Sequence, residues 1–259
     1  EDSTIRIWDV SSGKEIRKIK NKYPLSSVTL SADGKTIITT DKDISQSAGI
    51  RTWDLNTGRQ LRFIYSKNGY MNSVQLSPDN SRLIAGGLTG KIEIYSYPSL
   101  KKITEWAGHT SWINGLSISG DNRFLSTAGD DDAVKTWEIS TGRLIKDFSK
   151  TIANIDNLVY ENKSRLLTST SRIERFQQTN TWEIEHGIGY KHSYTTRPHY
   201  FNNEYLSMDT AGRKLALTED SSLIIYDPST GNQVRKITIP LLGTTVLSPA
   251  GDFVLYQDR

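Results

Sequence analysis

The chain has 259 residues, 32 basic against 29 acidic, a net charge of +3 and no cysteine. The missing cysteines exclude disulfides, thiolate metal sites and a cysteine nucleophile, and they fit a reducing, cytoplasmic setting. No apolar run approaches the ~18 residues of a membrane-spanning helix, and the small positive surplus is weaker than nucleic-acid binders carry. From the N-terminus, STIRIWDV and KEIRKIK read as two strands joined by a tight turn. The basic run Lys14 to Lys22 alternates charge with Ile at strand period, which suits a solvated outer strand. SSVTLS and KTIITT flank the turn SADGK, and NSVQLS and SRLIAG flank SPDNS. INGLSIS and RFLSTAG flank SGDNR in the same way. Period-two alternation, β-branched residues and turns rich in Gly, Asp, Asn and Pro predict strands throughout, so the fold class is all-β.

The strands recur. An aromatic followed by an acidic or small polar residue stands at Trp8, Trp53, Tyr95, Trp137, Trp182 and Tyr226, at intervals of 45, 42, 42, 45 and 44 residues. Glycine follows five residues later in five of the six units, at Gly13, Gly58, Gly142, Gly187 and Gly231, and Leu100 takes that place in the other. A glycine there suits the positive φ of a hairpin turn. A second turn recurs midway, so each unit holds four strands. One such unit cannot bury both of its faces alone, whereas stacked units bury each other's.

Residues 107–139, AGHTSWINGLSISGDNRFLSTAGDDDAVKTWEI, resemble the WD40 repeat: Gly-His, strand, turn, strand, Asp, strand and Trp-Asp, with Glu138 in the last place. The resemblance implies a WD40 β-propeller and a buried structural tetrad of His109, Thr127, Asp131 and Trp137. Other units are degenerate. The chain has one Gly-His pair, and Asp2 and Asp220 sit six residues before their aromatics without a matching His. Insertions lie at 41–49 and 171–180, and the stretch from His186 to Asn203 predicts a longer loop or an irregular outer strand.

A single propeller domain of six blade-equivalents over 1–259 is expected. Complete blades span 23–65, 70–107, 111–149, 153–200 and 203–240, and a split blade takes 1–20 with 243–259. Written end before beginning, LYQDR–EDSTIRIWD continues the register. Closure of a sixth blade by the ends or an in-phase piece of a longer, seven-bladed chain both give that pattern. The first residue, Glu1, and the mid-hairpin ends favour a piece of a longer chain.

No catalytic, metal or cofactor motif stands out. His109 belongs to the tetrad that the resemblance implies, while His186, His192 and His199 lack metal-ligand spacing. The Asp-rich turns lack the calcium loop with its terminal Glu. A monomeric, non-catalytic protein-interaction scaffold, part of a larger protein, is therefore expected, with a protein or peptide partner. A propeller enzyme with a channel-lining site and a nucleic-acid-binding propeller are the alternatives. Partners of this family commonly sit where the loops enter each first strand. In this register that position is Pro24, Tyr70, Trp112, Asn154, Asn202 and Leu241, with Tyr23 beside the first. Exposed Trp and Tyr there would act as interface anchors, and packing between blades is the competing reading. The acidic turn Asp130–Asp132 would steer a basic partner.

Overall fold

The structure, a computed structural model, describes residues 3–42, 48–147, 155–161, 166–173, 176–183, 190–196, 206–208, 214–219, 222–226, 233–239 and 243–258. The chain divides into two compact units, residues 1–66 with 201–259, and residues 67–200.

The first unit holds three four-stranded antiparallel sheets. Two need only one stretch of chain each: β3 (Leu25–Leu30), β4 (Thr36–Asp41), β5 (Gly49–Asp54) and β6 (Gln60–Tyr65); then β19 (Leu206–Met208), β20 (Leu215–Glu219), β21 (Ser222–Tyr226) and β22 (Gln233–Thr238). The third combines residues from far apart in the sequence. β2 (Glu15–Lys20) and β1 (Thr4–Asp9) join β24 (Phe253–Asp258) and β23 (Gly243–Leu247), with Ile7 opposite Leu255.

The second unit holds three more sheets in simple chain order: β7 (Met71–Leu76), β8 (Arg82–Gly87), β9 (Lys91–Ser96) and β10 (Lys102–Ala107); β11 (Ile113–Ile118), β12 (Phe124–Gly129), β13 (Ala133–Glu138) and β14 (Arg143–Asp147); and β15 (Ile155–Glu161), β16 (Leu166–Ile173), β17 (Phe176–Glu183) and β18 (Tyr190–Thr196). The insertion near 171–180 is absorbed by lengthening: β16 and β17 each run eight residues and pair throughout. Of the stretch from His186 to Asn203, where a longer loop or an irregular outer strand is expected, Tyr190–Thr196 are described: they pair with β17, with a register shift between Thr181 and Trp182.

The recurring turns have a chemical cause. After the third strand, Gly13, Gly58 and Gly142 adopt φ near +70°, and Leu100 takes the same left-handed conformation at +55°. A register shift accompanies the turn beside Trp8, Trp53 and Trp137, as a hairpin with a bulge requires. The acid after the aromatic caps this turn. Asp9 Oδ1 accepts the Ser12 hydroxyl and N–H, each at 2.6 Å, and the Ser11 hydroxyl at 2.7 Å, and Asp54 Oδ1 accepts the Thr57 hydroxyl and N–H, each at 2.7 Å. These bonds hold both carboxyls below the usual carboxylate range, Asp9 at about 2. The other turn repeats a Ser-x-Asp device: Ser31, Ser77 and Ser119 each bond the Asp two residues on and accept the N–H of the next strand's first residue.

Cores lie between sheets rather than within one. In the first unit, Ile5, Ile7 and Leu255 of the split sheet pack with Val28, Ile37 and Trp53 of β3–β5. In the second, Ile84, Ile92 and Ile94 pack with Ile113, Leu116 and Leu125. Gly86 permits that contact, because a Cβ there would lie 2.9 Å from the Ile113 side chain. Each isolated sheet would leave this apolar surface in water, at ~25 cal/mol per Å².

Candidate interaction surface

The third-strand aromatics Trp53, Tyr95 and Trp137 each carry a polar group into the sheet, and the register decides what meets it. Trp137 is opposite Leu125, and its indole N–H donates to the Thr127 hydroxyl, two residues further along β12, at 2.9 Å. Thr127 Oγ1 lies 2.7 Å from His109 Nε2, and His109 Nδ1 lies 2.6 Å from Asp131 Oδ1. A neutral imidazole with its proton on Nδ1 satisfies the whole chain. Trp137 then donates to Thr127, Thr127 to His109 and His109 to Asp131. Burial lowers the His109 pKa more than Asp131 can raise it, which favours that neutral form. Burial opposes the charge on Asp131, but the bonds from His109 and the Thr110 N–H outweigh it, and its pKa is lowered. Gly129 makes the arrangement possible, since a Cβ there would lie 2.5 Å from His109 Nδ1. The structure thus brings His109, Thr127, Asp131 and Trp137 into one network.

Other sheets reach the same end differently. Trp53 donates to Thr39 at 2.9 Å, while the buried Asp41 carboxylate pairs with Arg51 at 3.0 Å and accepts from Asn21 at 2.8 Å. In β9, Tyr95 is opposite Leu83, and the residue two further along β8 is Ala85, which offers no hydroxyl. The phenol donates instead to Glu93 Oε2 at 2.9 Å, and burial together with that carboxylate pushes its pKa up. Glu93, 1% exposed, also accepts from Asn68 at 2.6 Å and from Lys102. Glu105 joins through Lys102, Lys91 and Asn68, which hold its carboxyl at about 2. These charged sets escape notice in the sequence, because their members come from separate strands and follow no motif.

Pro24, Tyr70 and Trp112 occupy equivalent places at one end of their sheets. Their carbonyls accept the N–H of Lys42, Leu88 and Asp130, each the residue just after its second strand, at 2.7, 3.2 and 2.9 Å. Their side chains differ. Trp112 is 40% exposed, whereas Tyr70 is 6% exposed and meets the Trp112 ring edge-on at 5.8 Å. The exposed anchor expected at Tyr70 is therefore corrected: that ring serves as packing behind Trp112. Pro24 is half-buried, and so is Tyr23, whose ring lies beneath the Lys22 ammonium at 5.1 Å. Asn154, Asn202 and Leu241 lie outside the described residues, as do Asp2, Asp220, His186 and His199. Asp130, bonded to the Trp112 carbonyl, and Asp132 are both exposed in the turn that follows β12, and a relay runs from Asn72 to Asn114 at 3.1 Å and from Asn114 to Asp130. Among the described residues, no group of three or more His, Cys, Asp or Glu could hold a metal ion, and no helix is long and apolar enough to cross a membrane.

Residues 100–138, the stretch that holds this network and Trp112, match the family model for the WD40 domain, G-beta repeat. The chain carries a WD40 repeat. The human serine-threonine kinase receptor-associated protein is 22% identical over 144 residues, which cover 55% of this chain and 39% of that protein. The chain therefore spans about two fifths of that relative's length. In structure, the RRP9 WD40 repeats superpose with a TM-score of 0.73 at 14% identity, covering 97% of this chain and 89% of that one. A hydrazine synthase from Kuenenia stuttgartiensis reaches 0.71 at 14% identity, covering 98% and 86%. The fold is thus that of WD40 β-propellers, a scaffold found in an enzyme as well as in a repeat protein, so fold alone does not decide chemistry.

Proposed function

We propose that this chain is a non-catalytic protein-interaction module that receives a basic segment of a protein partner at the Trp112 end of β11. The observation that carries this reading is Trp112 itself: a large aromatic, 40% exposed, braced edge-on by a buried Tyr70 and hydrogen-bonded through its carbonyl to the turn that carries exposed Asp130 and Asp132. A fixed aromatic buries much area at little cost in side-chain entropy, and the acids of that turn favour cations during approach. The WD40 repeat at 100–138 supports a scaffold role, as does the likeness to a receptor-associated protein. One domain with the blade boundaries set out above belongs to the same proposal.

The test is binding of immobilised basic and acidic peptides by the whole chain and by Trp112→Ala. Basic peptides are expected to bind, Trp112→Ala to lose at least ~2 kcal/mol of that binding, and its melting temperature to stay unchanged. A parallel fall in melting temperature would make Trp112 a packing residue and remove the site. Equal binding of acidic peptides would remove the role given to Asp130 and Asp132.

A further inference from the structure

The chain contains two Asn-Gly pairs, Asn68–Gly69 and Asn114–Gly115. This dipeptide permits a self-reaction, because a glycine leaves the following backbone nitrogen sterically open to the asparagine side chain. The two pairs stand in opposite settings. Asn114 and Gly115 lie inside β11, Asn114 at a register shift of the ladder and Gly115 buried and paired with Ala128. The Asn114 amide is engaged at both ends, accepting from Asn72 and donating to Asp130. Asn68 and Gly69 lie in the connection between β6 and β7, Asn68 in a turn and both half-buried. Gly69 adopts φ +77°, and a Cβ there would press on Leu88 at 3.1 Å, so the turn itself demands glycine. Asn68 matters to its neighbours, since its amide donates to buried Glu93 at 2.6 Å and to Glu105 at 3.1 Å.

We propose that Asn68–Gly69 is a spontaneous deamidation site, selective over Asn114–Gly115, whose product loosens the β7–β10 sheet. The Gly69 nitrogen attacks Asn68 Cγ and gives up its proton. The Cγ–Nδ2 bond breaks, and ammonia leaves carrying that proton. Water then opens the cyclic imide at either carbonyl, leaving aspartate or isoaspartate at position 68. The selectivity follows from access: the turn reaches the cyclising geometry by local motion, while β11 must first leave its ladder. The consequence follows from charge. The product removes two donors and sets a third carboxylate against Glu93 and Glu105, with Lys102 between them as the shared cation. An isoaspartate also adds a backbone methylene to the short connection between β6 and β7.

The experiment is peptide mapping by mass spectrometry after timed incubation of the full chain in warm neutral buffer. Acid is expected at position 68 at least about tenfold faster than at 114. Equal rates, or conversion at 114 first, would overturn the selectivity. The consequence is read from Asn68→Asp, which is expected to melt several degrees below wild type, with Glu105→Gln in the same chain restoring part of the loss. If Asn68→Asp melts with wild type, or Glu105→Gln restores nothing, the charge argument fails. Asn68→Gln keeps an amide in place and is expected to melt close to wild type.

Discussion

Sheets β7–β10 and β11–β14 follow one another in the chain and share a register, yet their centres are held by different chemistry. In β11–β14 a neutral imidazole relays hydrogen bonds from an indole to a carboxylate. In β7–β10 a buried carboxylate gathers a phenol, an amide and an ammonium. The deciding difference is one position on the second strand. Thr127 can pass a hydrogen bond along, whereas Ala85 cannot, so the aromatic of β9 must find an acceptor on its own strand. In these two sheets the buried polar group of the aromatic is satisfied, and the identity of the satisfying residue is free to vary.

The largest expected effect breaks the first network. Asp131→Ala leaves the His109 Nδ1–H and the Thr110 N–H without their acceptor and is expected to destabilise the chain by about 3 kcal/mol in denaturant unfolding. A loss below ~1 kcal/mol would mean the relay is dispensable. Next comes the indole itself. Trp137→Phe removes the donor to Thr127 and is expected to cost about 1–3 kcal/mol. Trp8 provides the control: its indole N–H is buried and has no hydrogen-bond partner among the described residues. In its sheet Trp8 is opposite Val254, and Tyr256 holds the place that Thr127 holds in β12. Trp8→Phe is therefore expected to be clearly milder than Trp137→Phe. Equal losses would show that ring packing, and not the hydrogen bond, sets the cost at this position.

The smallest effects come from pH, and they separate the two sheets. Burial depresses the His109 pKa below its ordinary value of 6.5. The unfolded chain therefore takes up that proton first, so the stability held by neutral His109 is full above 6.5 and declines as pH falls below it. Glu105 is held at about 2 against an ordinary 4.5, chiefly by Lys102, so its contribution is full above 4.5 and is lost between 4.5 and 2. At Lys102, burial works against the charged form, but the bonds from Glu105 and Glu93 prevail and raise its pKa. That contribution is full below 10.5 and fades as pH rises through the raised value. Hydrogen exchange followed against pH is expected to show β11–β13 loosening first on mild acidification, with β8–β10 unmoved until near 4.5. Simultaneous loosening would mean the sheets open as one unit.

Much of this was legible in the residues. The aromatic spacing and the two turn types locate the strands, because a left-handed turn residue and an Asp or Ser cap leave marks at fixed distance. The tetrad follows from the resemblance of residues 107–139 to one repeat. Exposure was not legible. Tyr70 and Trp112 hold equivalent positions, and only the edge-on packing of one ring on the other determines which faces water. Glu93 was hidden for a related reason: Asn68 and Lys102, from a turn and a neighbouring strand, reach it only after folding. After His186, Tyr190–Thr196 have enough strand preference to pair with β17 without a recognisable template, with one register shift beside Trp182.

The sheet that joins β1 to β24 has a consequence in time. Ile5 pairs with Gln257, while the other sheets are built from successive strands of the chain. By loop-closure entropy, joining strands about 250 residues apart costs roughly 3–4 kcal/mol more than closing a hairpin-sized loop. Within this sheet β1 and β2 leave the ribosome long before β23 and β24, and until those arrive they can pair only with each other. Ile5 and Ile7, fully buried in the finished sheet, lack the cover of Leu255 for that whole interval. During synthesis the unpaired edge of β1 is therefore an open template until β24 covers it.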